Sequence, residues 1–253
     1  MTFLKVVPKF FDNDKKLIFR DSFMVLMLLF TILIAVAVRY ILPWLDGILI
    51  EKGYMPSENI AYALHDTYPM WASFISLYNG GLLAGMVAGF LMLDEKDEGT
   101  LTALIVTPVP LQHYTFYRFG LAALFSFLMM MIMVYIVGIE LLPFWQLTLL
   151  CASASLVSII VSLFLSLAAQ NKIQGFAMGK FTSIAGWVIM GGWFLPENWQ
   201  WLLGIFPPFL VHKAYWLALD GNPLWWLALA LGTLLQVAAI YWMSKKFNES
   251  VYK

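Results

Sequence analysis

The densest group of ionisable residues in this sequence opens the stretch from Asp94 to Arg118, DEKDEGTLTALIVTPVPLQHYTFYR. Five charged residues stand in a row at its start, and long apolar runs lie on either side. So much charge cannot lie in hydrocarbon. Pro108 and Pro110 end a helix begun near Thr100, because each proline lacks an N–H and restricts the residue before it. The pattern predicts a short helix at a membrane surface, whose chemistry is docking to an aqueous partner rather than catalysis.

Catalytic chemistry has little support elsewhere in the sequence. The three histidines, His65, His113 and His212, are far apart and outside the apolar runs. Neither a zinc-protease motif nor a nucleophile elbow occurs. The run GFAMGKFT is one residue short of a phosphate-binding loop, and Phe181 takes the place of its hydroxyl residue. We therefore expect a chain that is not an enzyme and that binds neither a metal nor a cofactor itself.

Composition tells which elements must position the charged stretch. Of the 253 residues, 62% are hydrophobic and 12% are charged, whereas soluble domains have about 45–50% apolar and about 25% charged residues. Spans of about 20 residues fill such a chain. We expect an all-α integral membrane protein, one transmembrane domain over residues 1–253, with spans at about 22–42, 69–93, 119–139, 145–169, 181–195 and 223–243.

Two further segments are predicted to lie at the membrane boundary. Residues 9–20 interleave basic and apolar side chains, which favours an amphipathic interfacial helix on the lipids over a solvated basic tail. The segment from Pro196 to Asn222 is apolar but broken by Pro207 and Pro208. A re-entrant or interfacial outer segment between spans five and six fits it better than a simple span.

Small residues follow helical spacing in two of the spans. Gly81, Gly85 and Gly89 would let another helix approach closely, either within the chain or at a dimer seam. A polar stripe in span four either packs helices or lines a substrate pathway. Its members are Ser155, Ser158, Ser162 and Ser166.

The placement of basic residues predicts the orientation of the chain. Of the 15 Lys and Arg residues, only Arg39, Lys52 and Lys213 fall on the side opposite to the termini in a six-span topology. Cytoplasmic loops carry the excess of Lys and Arg. Both termini and the charged stretch are therefore predicted to be cytoplasmic in a multi-pass protein of the cell membrane. The net charge is zero, which gives no basic surface for nucleic acid.

The charged stretch resembles the cytoplasmic loop between spans two and three of ABC-2 type transporter permeases. The family pattern is an acidic-basic cluster, an E-G-T step, a short leucine-rich helix and a T-P step. The matching residues are Glu95, Lys96, Glu98, Gly99, Thr100, Leu101, Leu104, Thr107, Pro108 and Val109. The start of the chain is similar to the family's amphipathic interfacial helix, at Asp14, Lys15, Lys16, Arg20 and Asp21.

The resemblance implies the membrane subunit of an ATP-driven exporter. Two permeases would pair, as a homodimer or with a homologue, and two cytosolic ATPase subunits would hold ATP and Mg. The short helix from Glu98 to Thr107 would act as a coupling helix in a groove of the ATPase, and the interfacial helix would lie against the same subunit. Nucleotide binding would then favour one of two global states and move substrate outward.

Three functions follow in order of preference. The first is export of a hydrophobic or amphipathic compound, such as a drug, antibiotic, peptide or lipid. The second is a non-transporting membrane scaffold or sensor subunit, and the third is a secondary transporter. A partner ATPase would favour the first function, and gradient-driven uptake without an ATPase would favour the third.

Overall fold

The computed structural model describes residues 3–53, 64–99 and 111–251, and α-helices dominate these ranges. The helices are α1 (Phe3–Arg20), α2 (Ser22–Glu51), α3 (Tyr68–Ser73), α4 (Gly80–Asp97), α5 (Leu111–Val137), α6 (Phe144–Ala154), α7 (Leu156–Ala168), α8 (Lys172–Ala185), α9 (Trp187–Trp193), α10 (Glu197–Gln200), α11 (Phe209–Leu219) and α12 (Trp225–Val251). Short 3-10 helices cover Leu64–Thr67 and Trp201–Ile205, and a π-helical turn covers Phe74–Asn79. No strand occurs within the described ranges, which confirms the prediction of an all-α chain for them.

Five helical segments are long and apolar enough to cross a membrane. They are Ser22–Glu51, Leu64–Asp97, His113–Val137, Phe144–Ala168 and Trp225–Glu249. Each coincides with a predicted span, and several reach further than predicted. The first continues through Pro43, beyond the predicted end of the span at residue 42, since membrane helices tolerate proline when the freed backbone groups are satisfied nearby. The last continues as helix beyond the predicted end of the span at residue 243, to Val251.

The predicted fifth span, residues 181–195, is divided between two helices. α8 begins at Lys172, before the predicted start of the span at residue 181. Asn171 starts the helix early, because its side-chain Oδ1 accepts a 2.9 Å hydrogen bond from the Gln174 amide. The helix is interrupted at Gly186, between α8 and α9. A Cβ added at Gly186 would lie 2.3 Å from Tyr78.

The start of the chain is helical, as predicted, and it ends at a capped junction. α1 stops at Arg20, and Asp21 takes an extended conformation between α1 and α2. The carboxylate of Asp21 accepts hydrogen bonds from the amides of Phe23 and Met24, at 2.9 and 3.3 Å. Such a cap satisfies amides that a helix start leaves unpaired, so α2 can leave α1 in a new direction.

The centre of the fold is the contact between α4 and α7. An added Cβ at Gly85 would lie 2.7 Å from the Ser158 carbonyl oxygen, and one at Gly89 would lie 2.8 Å from Leu165. The predicted glycine face therefore packs helices within this chain. Gly81, Gly85 and Gly89 are all buried, which leaves them no free face for the dimer seam that the sequence offered as an alternative.

The predicted serine stripe lies on α7 and at its start, opposite those glycines. All four hydroxyls donate to backbone carbonyls three residues earlier, at 2.7 to 3.0 Å. The residues are Ser155, Ser158, Ser162 and Ser166, and all are buried. This arrangement favours the packing interpretation, and the lining of a substrate pathway stays a prediction.

The outer helices present wide apolar faces. α2 exposes Leu26, Leu33 and Trp44 to at least 60% of their surface. α12 likewise exposes Leu234 and Tyr241. Contiguous apolar surface of this extent is what a lipid environment covers.

Candidate functional site

Five side chains meet where α4 ends, and we call them the Arg118 cluster. They come from three helices that are distant in the sequence, α1, α4 and α5. The members are Asp14, Glu95, Tyr114, Tyr117 and Arg118. The three charged members are at most 9% exposed, so the cluster is a buried ionic centre.

Arg118 links the two carboxylates of the cluster. Its Nη1 donates to Asp14 Oδ2 at 2.7 Å, and its Nη2 donates to Glu95 Oε1. Tyr117 donates its hydroxyl to Asp14 Oδ2 at 2.6 Å, and Tyr114 donates to Glu95 Oε2. A guanidinium fork suits this task, because it can bind two carboxylates in fixed directions and stays charged when buried.

Local helix geometry explains how the cluster forms. Tyr114, Tyr117 and Arg118 are three and four residues apart on α5, so they share one helix face. Glu95 is in the last turn of α4, and Asp14 is a buried residue of α1. The cluster thus ties α1 to the two helices that flank residues 100–110.

A second ionic group, the Lys172 group, lies nearby and consists of Asp21, Asp94 and Lys172. Lys172 Nζ is 2.5 Å from Asp21 Oδ2 and 2.9 Å from Asp94 Oδ2. Burial alone would raise the pKa of Asp21, but the hydrogen bonds from Lys172 and from backbone amides hold it below its ordinary value. Burial alone would lower the pKa of Lys172, but the hydrogen bonds to the two carboxylates raise it. The group fastens the α1–α2 junction to the end of α4 and the start of α8.

The residues predicted for the coupling helix are only partly described. Glu98 and Gly99 are exposed just after α4, and Gly99 has φ +68°, which favours glycine over residues with a Cβ. Thr100, Leu101, Leu104, Thr107 and Pro108 lie outside the described residues. Glu95, predicted to contact an ATPase, is instead turned into the Arg118 cluster. Glu95 is buried because its carboxylate pairs with the buried guanidinium of Arg118.

The interfacial-helix residues are divided between two environments. Lys15 and Arg20 are exposed, and their contact with a partner stays a prediction. Asp14 and Asp21 are engaged within the chain through ion pairs with Arg118 and Lys172, and a contact of either with an ATPase stays a prediction. Their carboxylates pair with cations of α5 and α8, which anchors α1 from its inner side.

A different polar site lies at the far end of the second span. Trp216 of α11 donates its indole N–H to Ser73 Oγ at 2.9 Å. Glu95 is about 22 residues further along the same helical segment, which corresponds to about 33 Å at 1.5 Å per residue. We call the region around Trp216 and Lys213, which are both on α11, the Lys213 end. We call the region around the Arg118 cluster the Arg118 end. The helices α8 and α9 run between them, because Lys172 pairs with Asp94 whereas Trp193 packs on Trp216 at 4.9 Å between ring centroids.

The Lys213 end holds one buried cation with few partners. Lys213 is 1% exposed, and its Nζ donates to Gln200 Oε1 at 2.8 Å and lies 5.0 Å from the centre of the Trp201 ring. The Glu197 carboxylate is 3.9 Å away. Burial lowers the pKa of Lys213, although the charge of Glu197 opposes this. A cavity of about 260 Å³ adjoins these residues.

His212 is the neighbour of Lys213 on α11 and is fully buried. Its Nδ1 donates to the Pro208 carbonyl at 2.9 Å. Burial lowers the pKa of His212 from 6.5 to about 4, so the ring is neutral at physiological pH. No group of three or more metal-binding side chains occurs in the ranges that the structure describes.

Sequence reasoning missed the pairing of Asp14 and Glu95 with Arg118, and the role of Lys172. Each ion pair joins residues that are 23 to 151 positions apart. A weak signal existed, because Arg118 follows Tyr114 and Tyr117 on one helix face at the edge of an apolar run. An arginine in that position requires an acidic partner from another helix.

Comparisons with known proteins identify a family that fits this geometry. The chain is 28% identical over 255 aligned residues to the fluoroquinolones export permease protein Rv2686c of Mycobacterium tuberculosis (strain ATCC 25618 / H37Rv). The alignment covers 96% of this chain and 94% of that protein. The fluoroquinolones export permease protein MT2760 of strain CDC 1551 / Oshkosh matches with the same identity and coverage.

The match to the family extends over most of the chain. The sequence model of the Rv2686c-like fluoroquinolones export permease family matches residues 14–244, a range that includes both ionic groups and the Lys213 end. This confirms the resemblance to ABC-2 type permeases. The chain belongs to the Rv2686c-like fluoroquinolones export permease family.

Proposed function

We propose that this chain is the membrane-spanning permease subunit of an ATP-binding cassette exporter. Its substrate would be a hydrophobic or amphipathic drug, and fluoroquinolones are the first compounds to test because its relatives are named for their export. A separate cytosolic ATPase would bind ATP and Mg and hydrolyse the ATP. In this proposal the chain converts the motion of that partner into movement of the drug.

The observation that carries the proposal is the ionic anchoring around residues 100–110. Glu95 precedes this segment, Arg118 follows it, and the two are paired. Asp14 adds α1 to the same cation. A helix that receives force from a partner must be attached firmly on both flanks, because flexible flanks would absorb the displacement. Such anchoring is superfluous for a plain solvated loop.

The proposed contact surface consists of Glu98 and Gly99 together with the segment that follows. Glu98 and Gly99 are exposed, and Lys15 and Arg20 would add contacts from α1. The remaining proposed contacts are Thr100, Leu101, Leu104, Thr107 and Pro108. We place this end in the cytoplasm, with both termini, in agreement with the distribution of basic residues.

The proposed topology has six crossings. The sixth would be formed by α8 and α9 together, since their contacts reach from the Lys172 group to Trp216. Their 22 residues would extend about 33 Å as a helix, enough to cross a hydrocarbon core of about 30 Å. The short helices from Glu197 to Leu219 would then form the outer re-entrant segment, and a second permease copy would complete the membrane part.

The proposal is tested first by purification in mild detergent. We expect an ABC ATPase to accompany the chain, and inside-out vesicles containing both to accumulate a fluoroquinolone only with ATP and Mg. A chain that purifies alone, and whose drug uptake follows an ion gradient, would establish a secondary transporter instead. A chain that purifies alone and moves no drug would establish the scaffold function.

The coupling surface is tested by a matched pair at Gly99. Valine cannot readily adopt φ +68°, whereas asparagine can. We expect Gly99→Val to reduce drug transport per ATP hydrolysed while Gly99→Asn retains most of it. The exposed substitution Glu98→Trp should likewise uncouple transport and leave the amount of folded protein unchanged. Normal coupling in both Gly99→Val and Glu98→Trp would refute the assignment.

A further inference from the structure

A cavity of about 300 Å³ lies between α1, α4 and α5, beside the Arg118 cluster. Its wall is almost entirely apolar, and the side chains that form it include Phe11, Ile18, Val87, Leu91, Leu121 and Phe125. Small-molecule sites have volumes of about 300–1,000 Å³ and combine apolar walls with a few polar groups. The cavity has the size and the lining of a small site for an apolar body.

Two buried charged side chains, Asp14 and Arg118, also line this cavity. Asp14 is 1% exposed. Its Oδ2 accepts from Tyr117 and from Arg118, but its Oδ1 has no hydrogen-bond partner among the described residues. Buried polar atoms of native proteins are nearly always paired. The cavity thus contains a carboxylate oxygen that lacks a donor.

The charge of the cluster indicates which donor is missing. Asp14 and Glu95 each accept hydrogen bonds on an oxygen that faces Arg118, and Tyr114 donates to the second oxygen of Glu95. Arg118 therefore divides its positive charge between two acidic side chains. Asp14 shares its counter-charge with Glu95, and its buried Oδ1 without a donor is costly unless a donor or a cation compensates it.

Among the side chains that the structure describes, the other charged group lining the cavity does not compensate Asp14. Lys15 contributes to the lining, but its side chain is exposed to solvent, where charges are well hydrated and screened. An anion placed against the unpaired Nε of Arg118 would lie beside the Asp14 carboxylate, which repels it. The site therefore favours a cation that can donate a hydrogen bond.

We propose that this cavity binds amphipathic amines, with the protonated amine donating to Asp14 Oδ1 and the apolar body lying against α4 and α5. The amine could belong to a soluble compound or to the head group of an aminophospholipid, which share this chemistry. The proposal concerns equilibrium binding and is independent of export, because it can be measured on the chain without an ATPase.

Three probes of equal chain length test the proposal on the full chain in phosphatidylcholine nanodiscs. Dodecylamine, dodecanol and dodecanoic acid are titrated by calorimetry, with empty nanodiscs as the blank. We expect saturable binding of the amine that is at least about tenfold tighter than binding of the alcohol or the acid, since buried ionic contacts dominate such affinities. Equal affinities for the three probes would overturn the proposal.

Variants separate the two halves of the site. Asp14→Asn should abolish the preference for the amine and leave dodecanol binding unchanged. Ala88→Phe, which fills the cavity without touching the cluster, should weaken all three probes at least about tenfold by excluding the apolar body. Asp21→Asn alters a carboxylate of the Lys172 group outside the cavity and should change nothing. An unaltered amine preference in Asp14→Asn, or unaltered affinities for all three probes in Ala88→Phe, would also overturn the proposal.

The source of the amine is identified by changing the lipid. Phosphatidylethanolamine can donate a hydrogen bond from its amine, whereas the trimethylammonium group of phosphatidylcholine cannot. Dodecylamine binding that is weaker in phosphatidylethanolamine than in phosphatidylcholine nanodiscs would show that the lipid head group occupies the site. This difference between the two lipids should disappear in Asp14→Asn. Equal binding in both nanodiscs would assign the site to soluble amines. Absence of saturable amine binding in both would overturn the proposal.

Discussion

The two ends of the molecule bury charged side chains in opposite ways. At the Arg118 end, a cation is shared by two carboxylates, each of which also accepts a tyrosine hydroxyl. At the Lys213 end, a cation of similar burial has an amide as its hydrogen-bond partner, and the Glu197 carboxylate is 3.9 Å away.

The difference extends to the distance along the chain between partners. Asp14 and Arg118 are 104 residues apart, whereas Gln200 and Lys213 are 13 apart. Charges at the Arg118 end therefore join separate helices into one unit, and the polar side chains at the Lys213 end shape a local pocket. A buried charge links separate helices only where its partners are distant from it in the sequence.

Removal of the cation at the Arg118 end should have the largest effect. Arg118→Met leaves Asp14 and Glu95 buried without their counter-charge, which we expect to lower the free energy of unfolding by about 3–5 kcal/mol. Thermal unfolding in detergent measures the change. The comparison would fail if Arg118→Met were as stable as the unaltered chain.

Acid should act mainly at the Lys213 end. The pKa of His212 is about 4 in the folded chain and 6.5 for an ordinary histidine, so the unfolded chain binds more protons between these values. Stability should therefore be retained above pH 6.5 and be lost as pH falls towards 4, by up to about 3 kcal/mol. Melting temperatures of the unaltered chain and of His212→Gln across this window test it. Parallel pH profiles would exclude the contribution.

The cation at the Lys213 end should be dispensable for stability. Burial disfavours the charged form of Lys213, so Lys213→Met removes a desolvation cost along with one hydrogen bond. We expect stability to be unchanged or raised by about 1 kcal/mol. The same unfolding assay applies, and a loss as large as that of Arg118→Met would remove the distinction between the ends.

The Lys172 group should also give a small effect, although it lies at the Arg118 end. Its side chains are 25–28% exposed, and ion pairs of this kind contribute about 1 kcal/mol or less. Lys172→Met should lower stability by this amount at about 0.1 M salt and by less at about 1 M, because salt screens exposed charges. A loss independent of salt would indicate a packing role for Lys172.

The apolar elements of this fold were predictable from the sequence, and their ends were less so. Runs of about 20 apolar residues identify spans through length alone. The predicted span ended just before Pro43, but the helix continues through this proline. Within a bilayer the backbone has few alternatives to helical hydrogen bonds. The start of α8 at Lys172 could not be predicted from the sequence. Lys172 pairs there with Asp21 and Asp94, which come close to it only in the folded chain.

The candidate sites show the same division. The glycine spacing predicted close helix packing but could not name α7 as the partner, because spacing contains no information on which helix approaches. The charges of Asp94 and Glu95 suggested an aqueous surface. Their actual partners, Lys172 and Arg118, lie on other helices, and pairing across the fold is visible only in three dimensions.

The contact between α4 and α7 has a consequence for the temperature dependence of the fold. Gly85 has no side-chain rotamers to lose, and Ser158 is already held by a hydrogen bond to its own backbone. Formation of this contact therefore costs little side-chain conformational entropy, unlike the methionine-rich contacts around Met130 and Met133, where long side chains become fixed on burial. Because that side-chain entropic cost grows with temperature, heating should weaken the methionine contacts more than the contact between Gly85 and Ser158.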